Sequence, residues 1–338
     1  EKLMRDKHPQ MDLFMCDVTD VALKDITPHM ENPLYTLSKQ KDISIKYWEN
    51  GRNWVRIVPS VVGHPNIYDK DILIFAISQI MNAYNEGRQA SKRINIVARD
   101  YLIFSNRGTG GKDYNAFVDS LDRLAGARIS TNIATDDGEI TEFFGLVDKA
   151  SIKRKYGLNG RIQSVDMELS DWVFNAITKE SVLTLHPDYF RLRKPIERRI
   201  YELARKHVGR KRIFKIGIEK LLNKTGSQSP MKKFKYLLQQ ISSSDHLPDY
   251  SLHIDERNNV VFTNKNSMPQ MKTIGATVGQ LATDTYHQAR KFAAGWDVRM
   301  IEQEWRNWLA KGNKPAAKNV DKAFLAFVKV FVRNHGSA

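Results

Sequence analysis

The sequence predicts an α+β chain with tandem winged helix-turn-helix domains and a C-terminal helical region. Three observations carry this. Helix, turn, helix and hairpin signals follow one another between residues 69 and 147. The same order returns between residues 182 and 263. Three stretches of helical apolar spacing then follow residue 280. Helix, turn, helix, hairpin is the order of a winged helix-turn-helix. The repeat lies in element order, with no residue-by-residue identity between the halves.

Residues 1–40 are polar, with Leu13, Phe14, Leu34, Tyr35 and Leu37 as apolar anchors, and predict a mobile arm ending in an ordered strip. Ile43–Trp48 and Trp54–Pro59 alternate apolar and polar residues around Glu49-Asn50-Gly51-Arg52, and Asn-Gly between two such runs signals a hairpin. Asp69–Asn85 has helical spacing, with Ile72, Leu73, Phe75, Ala76, Ile80 and Tyr84 on one broad face and Gly87 as a stop. A strand is expected at Ile94–Val97, a short helix at Ala98–Ser105, a turn at residues 106–111 and a helix at Lys112–Leu124. Arg128–Ala134 and Ile140–Val147, around Asp136-Asp137-Gly138, predict the hairpin of the first domain.

In the second half, Val182–Leu185 predicts a strand and Pro195–His207 a helix with proline in its first turn. Ile213–Phe214 is a short extended piece and Ile218–Asn223 a short helix. After the turn at residues 224–228, Ser229–Ser242 forms a helix with Met231, Phe234, Leu237, Leu238 and Ile241 inward. Tyr250–Ile254 and Val260–Thr263 then flank a hairpin turn. Residues 266–280 have the composition of a linker, and Thr283–Phe292, Val298–Leu309 and Val320–Asn334 predict three helices. The expected boundaries are 1–40 for the arm, 41–178 and 179–265 for the two winged-helix domains, and 266–338 for the linker and C-terminal helices.

Charge points to the partner. Arg191 to Lys235 carries sixteen lysines and arginines against Glu197, Glu202 and Glu219, which is most of the chain's net charge of +15. These charges are threaded through apolar residues at helical spacing, so they belong to a folded surface. A concentrated basic face is the footprint of a polyanion binder, nucleic acid first. A solvated basic helix without a partner is the weaker reading, because such a patch repels itself.

The polar side of the second domain's recognition helix offers Lys232, Lys233, Lys235, Tyr236, Gln239 and Gln240. Lysine neutralises phosphate and glutamine pairs with adenine edges. Ser227 and Ser229 lie where hydroxyls and helix-start amides hold a phosphate, although Ser229 also suits a plain cap. Arg193, Arg198, Arg199, Arg205, Lys206, Arg210, Lys211, Arg212 and Lys224 supply the rest of the basic face, and Arg257 and Asn258 the wing. In the first domain Arg107, Thr109, Lys112 and Asn115 surround the turn, but Asp113, Asp119 and Asp122 oppose phosphate on the helix. Base contact and protein–protein contact stand as equal uses there.

Catalytic readings find little support. Gly110-Gly111-Lys112 lacks the glycine five residues before the Gly-Lys pair and the hydroxyl after it, where Asn106 and Asp113 stand. Nine histidines include no His-Glu-x-x-His, and no Gly-x-Ser-x-Gly occurs. The one cysteine, Cys16, excludes an intramolecular disulfide and a four-cysteine zinc site. No cofactor, metal or enzymatic activity is therefore expected. Without a run of about 18 apolar residues or a signal peptide, a cytoplasmic protein with no membrane partner is expected. Trp296, Trp305 and Trp308 have the spacing of helix-packing residues, with base stacking the weaker use.

Several blocks carry a family resemblance: Glu31-Asn32-Pro33-Leu34-Tyr35-Thr36-Leu37-Ser38-Lys39, residues 68–74, residues 126–133, Leu169-Ser170-Asp171-Trp172, the long block from Tyr189 to His207, and Leu247-Pro248-Asp249-Tyr250. On these the chain resembles the bacterial plasmid replication initiator protein A family over residues 12–262. Gly295-Trp296-Asp297 and residues 304–308 are a fainter echo. Val208 departs from the family's cysteine. The resemblance implies a protein that binds repeated sites (iterons) in duplex DNA at a plasmid origin, helps to open it and recruits host initiator and helicase. By analogy among plasmid initiators it also implies a homodimer that represses its own promoter, with the monomer on iterons. A transcriptional repressor without a replication role and a relaxase-like DNA-processing enzyme are the alternatives.

Overall fold

A computed structural model describes Leu3, Lys7 and residues 21–132, 141–155, 160, 162–179, 181–209, 211–267, 281–293, 298–311 and 319–335. Leu13, Phe14 and Cys16, the Asp136-Asp137-Gly138 turn, Arg210, most of the 266–280 linker and Trp296 lie outside the described residues. The chain divides into two compact units, Glu1–Ser267 and Met268–Ala338.

The first unit opens with a short strand β1 (Lys24–Ile26) and a helical turn α1 (Thr27–Glu31). The hairpin β2 (Lys46–Asn50) and β3 (Asn53–Val58) follows, turning at Gly51 with φ +67°. Next come α2 (Lys70–Asn85), β4 (Arg93–Val97), α3 (Ala98–Phe104) and α4 (Gly111–Gly126). Strands β5 (Arg128–Thr131), β6 (Glu142–Phe144), β7 (Val147–Arg154) and β8 (Ile162–Leu169) precede α5 (Asp171–Thr178) and β9 (Val182–Thr184). The second half holds α6 (Pro195–His207), β10 (Ile213–Gly217), α7 (Ile218–Thr225), α8 (Met231–Ser244), β11 (Tyr250–Ile254) and β12 (Asn259–Asn264).

One pattern occurs twice: helix, strand, helix, helix, two strands. In the first repeat (α2, β4, α3, α4, β7, β8) the antiparallel sheet runs β4-β8-β7. In the second (α6, β10, α7, α8, β11, β12) it runs β10-β12-β11. In both, the last strand lies in the middle and the first strand leads straight into the second helix.

Two strand pairings differ from the sequence reading. The β5–β6 pair is real, with Ile129 opposite Phe144, but it joins β2 and β3 in a separate sheet ordered β2-β3-β5-β6. The hairpin of the first repeat is β7–β8 instead. Strand β7 (Val-Asp-Lys-Ala-Ser-Ile-Lys-Arg) is mostly exposed, so its apolar signal is faint beside that of the β-branched Arg128–Thr131. Likewise β9 pairs with β1, Lys24 opposite Thr184, and stays out of the second repeat's sheet. That pairing belongs with a further difference. Residues 21–35 are no loose arm: Leu23, Ile26, Met30, Leu34 and Tyr35 are buried in the main core.

That core runs through both repeats without a break. An aromatic path crosses it from Phe117 to Tyr101, Phe75, Phe104, Phe190, Tyr189, Tyr201 and Tyr250, with successive ring centroids 4.7–5.9 Å apart. The expected domains 41–178 and 179–265 therefore share one interior.

Charged groups cross it too. Asp69, before the first turn of α2, accepts two bonds from Arg123 of α4 at 2.7 Å and one from Ser120 at 2.7 Å. Lys70 is fully buried between Asp25 at 2.6 Å and Glu202 of α6 at 2.9 Å. Asp71 holds Arg198 of α6 at 2.7 Å and Arg107, beyond α3, at 2.9 Å. A lysine is unfavourable at a helix N-terminus, where the dipole prefers acids. Lys70 is tolerated there because two carboxylates face it. Burial works to raise the Asp25 pKa; Lys70 and the His29 hydrogen bond outweigh it and hold the carboxyl below its usual range. Burial also drives the His29 pKa down.

The second unit packs three helices, α9 (Thr283–Phe292), α10 (Val298–Lys311) and α11 (Val320–His335), around Ile301, Trp305, Phe324 and Val328. Trp305 is buried against Phe324, so it packs and offers no stacking surface. Among the described residues no helix is long and apolar enough to cross a membrane.

Replacing Lys70 by Met takes the buried cation from Asp25 and leaves Glu202 with Arg199 alone, and removing one partner of a buried pair costs about 3–5 kcal/mol. Urea unfolding followed by circular dichroism should show a loss of that size. A loss below about 1 kcal/mol, the worth of an exposed ion pair, would mean that the network does not hold the unit together.

Candidate nucleic-acid interface

Helix α8 is built to present one face. Phe234, Leu238 and Ile241, spaced four and three residues apart, are buried and fasten it to the second repeat. That spacing turns Lys232, Lys233, Tyr236, Gln239 and Gln240 outward, and all five are exposed. Tyr236 is 58 % exposed, although burying so large a ring would be favourable. The helix has no acid in its first turn and no side-chain cap, so its first amides stay open to an anion.

The turn before α8 is set by Gly226 in the left-handed region, φ +69°, where a Cβ would come within 2.6 Å of the Pro33 Cβ. The Thr225 hydroxyl accepts from the Ser227 amide and the Ser227 hydroxyl from the Ser229 amide, both at 3.3 Å. At the tip of the β11–β12 hairpin the Asp255 carboxylate accepts from the amides of Arg257 and Asn259, at 3.0 and 2.8 Å. Those amide bonds, Asn259 first, hold its pKa below the usual range. The hairpin places Asn258 at φ +56°, where its side chain accepts a 2.8 Å bond from Lys235. Lys235 and Asn258 thus brace helix to hairpin, while Arg257 stands exposed beside them.

The structure divides the basic residues of the sequence reading into two sets. Arg193, Lys211 and Arg212 are exposed, as are Thr109, Lys112 and Asn115 of the first repeat. Arg198, Arg199, Lys206, Lys224 and Arg107 are engaged inside the protein by carboxylates and buried carbonyls, and for them the expectation of DNA contact is corrected; Arg205 is half-buried and tied only by a carbonyl at the surface. Arg198, 2 % exposed, donates to Asp71 and to the carbonyls of Leu192 and Phe190. Arg199, 3 % exposed, donates to the carbonyls of His29, Met30, Glu31 and Lys224. It thereby closes the C-terminal ends of α1 and α7, where unpaired carbonyls and the dipole favour a cation. Lys206 and Lys224 both bond the Glu31 carboxylate, which His207 approaches at 3.1 Å. Arg107 donates to the Tyr68 carbonyl at 2.6 Å besides Asp71, and Arg205 to the Thr184 carbonyl at 2.6 Å.

Charge counting could not separate these sets. Helix α6 is buried from Ile196 to Ala204, a helix held between the repeats; Arg198 answers an acid and Arg199 a set of backbone carbonyls, most of them far off in the sequence. The available signal was the acids at the head of the apolar α2 run, Asp69 and Asp71, and Glu31 before the apolar strip at residues 33–35. Lys215 and Lys220, counted in the basic stretch, are exposed on β10 and α7; the sequence reading passed over Lys149, Lys153, Arg154 and Lys155, exposed on β7 and just past its end.

Burial works to raise the Glu31 pKa, but hydrogen bonds from His207, Lys206 and Lys224 hold it far below the ordinary carboxylate range. The stability this supplies is present above the unfolded-state value of about pH 4–5 and is lost as pH falls below it. The Glu31→Gln variant should be less stable than the parent at pH 7 and lose less on acidification. Thermal melts from about pH 7 down to pH 3 check this; parallel losses in both proteins would contradict it.

A family model for Replication initiator protein A matches residues 24–252. The chain is 35 % identical over 253 residues to a protein of Wigglesworthia glossinidia brevipalpis named "Putative replication protein", spanning 74 % of this chain and 91 % of that one. Among solved structures it is similar to the crystal structure of domains 2 and 3 of RctB, with a TM-score of 0.53 at 12 % identity, over 69 % of this chain and 95 % of that one. At that identity the likeness is one of fold.

Proposed function

The chain belongs to the replication initiator protein A family, and on that premise we propose that it is a plasmid initiator whose two repeats are winged helix-turn-helix modules bound to iterons in duplex origin DNA. The observation that carries this reading is the outward face of α8. It joins two phosphate-neutralising lysines, two glutamines suited to base edges and an open helix start on a rigid, apolar-backed helix. Arg257, exposed at the hairpin tip that Lys235 of α8 reaches through Asn258, extends the positive surface beside it.

Origin opening by such a protein draws on binding energy. Bending a site of 20–30 base pairs costs on the order of 1–6 kcal/mol, which added phosphate contacts offset. The bent, partly destabilised duplex is then the substrate for a host initiator and helicase that the protein recruits. No step requires a catalytic group of its own. Binding of the same helix at its own promoter, as a homodimer, gives autorepression.

A plasmid carrying only the cognate origin should replicate in a host supplied with this protein, whereas a pure repressor would not support it. In vitro, log affinity should fall with log salt by about 0.9 per phosphate contact. Lys232→Ala and Lys233→Ala should weaken cognate and random duplexes alike and flatten that slope by about one unit each. Gln239→Ala or Gln240→Ala should weaken the cognate site alone, by about 1–3 kcal/mol. Unchanged specificity in both glutamine variants would move base reading away from α8.

A further inference from the structure

The first repeat carries its free positive charge on its hairpin and not on its helix. Helix α4, the counterpart of α8, holds two basic residues in its sequence, Lys112 and Arg123, and Arg123 is taken up by Asp69. Asp119 and Asp122 are exposed along it. Its start is already occupied by an anion: the Asp113 carboxylate accepts from the Gly110 amide at 3.2 Å. The same carboxylate lies within 2.6 Å of where a Cβ on Gly108 would sit. A phosphate approaching α4 would meet its own kind of charge in the place where α8 is open.

The β7–β8 hairpin has the opposite character. Lys149, Ser151 and Lys153 share one exposed face of β7, while Ala150 and Ile152 are half-buried on the other. Towards its end Lys153, Arg154 and Lys155 are exposed in succession. Across the ladder Lys153 faces Ser164 and Arg154 faces Ile162, so no acid lies directly opposite them; Asp166, diagonal to Lys153 and opposite Ser151, accepts a 2.6 Å bond from Asn95. Glu168, opposite Lys149, is held by Lys92 at 3.2 Å and Arg93 at 3.0 Å, which leaves Lys149 uncompensated by it. The Arg154 guanidinium reaches the Gly160 carbonyl at 3.3 Å, a bond that leaves its charge unneutralised.

We propose that the first repeat binds the DNA backbone through the β7–β8 hairpin, with Lys153, Arg154 and Lys155 on phosphates, and that α4 makes no phosphate contact. This rests on the reading that α8 binds duplex DNA. It assigns the repeats different tasks: α8 reads sequence, and the hairpin of the first repeat adds affinity that any duplex satisfies.

The test uses the full chain with Lys153, Arg154 and Lys155 all changed to Ala, beside Lys232→Ala and an Asp119→Asn, Asp122→Asn double variant. Folding of each is checked by thermal melting. The hairpin variant should weaken cognate and random duplexes by similar factors and make the salt slope shallower by about two to three units. Its hydroxyl-radical footprint should lose protection on the flank of the site while keeping it at the core. The α4 double variant should bind as the parent does. If Lys232→Ala flattens the slope and the hairpin variant does not, the hairpin assignment is overturned and α8 stands. Tighter binding by the α4 double variant would also overturn it, by placing α4 against phosphate. If the parent itself shows no salt dependence, the reading of α8 fails as well.

Discussion

Everything in the first unit depends on three consecutive residues at the start of α2. Asp69, Lys70 and Asp71 point in three directions: to α4, to the β1–α1 segment with α6, and to α6 with the end of α3. One helix start therefore ties both repeats and the preceding segment together. Removing these charges from water is expensive, and each is stable only because its partner is present with good geometry. Such a network contributes little to stability against an apolar replacement. It does penalise every packed arrangement in which the repeats meet out of register, because misalignment leaves Lys70, Arg198 and Arg199 buried without their partners.

This constraint reshapes the meaning of the basic charge. Arg191 to Lys235 looks like one patch in the sequence, but the fold spends its first half on construction. Arg198 and Arg199 fasten α6 to α2 and close α1 and α7, and Lys206 and Lys224 answer Glu31. The cations left for a partner are fewer and more precisely placed, chiefly on α8 and beside the tip of its hairpin. Affinity estimates from total charge would therefore overstate the number of phosphate contacts. The same economy marks the first repeat, where Asp69 takes up Arg123 and the Asp113 carboxylate covers the start of α4.

Much of the fold was legible in the sequence because its signals are local. The spacing of Phe234, Leu238 and Ile241 fixes α8, Gly51 marks the β2–β3 turn, and the three C-terminal helices follow their apolar periods. What was not legible depends on distant pairing. Strand β5 carries an unmistakable strand signal, but nothing local says that it pairs with β3 and not with β4. Strand β7 is exposed and polar, so its role in the first repeat is visible only through its register with β8. For the interface the outward residues of α8 followed from helical periodicity. The burial of Arg198 and Arg199 did not, since their partners Asp71, His29 and Met30 lie more than a hundred residues away.

The central claim is that the two repeats form one cooperative unit locked by the start of α2. Native-state hydrogen exchange addresses it directly, because amides that open together share one opening free energy. The slowest amides of α2 and of α6 should exchange with the same free energy and respond equally to denaturant, as parts of a single unfolding event. A lower, separate opening free energy for α6 to β12, with α2 still protected, would contradict the account.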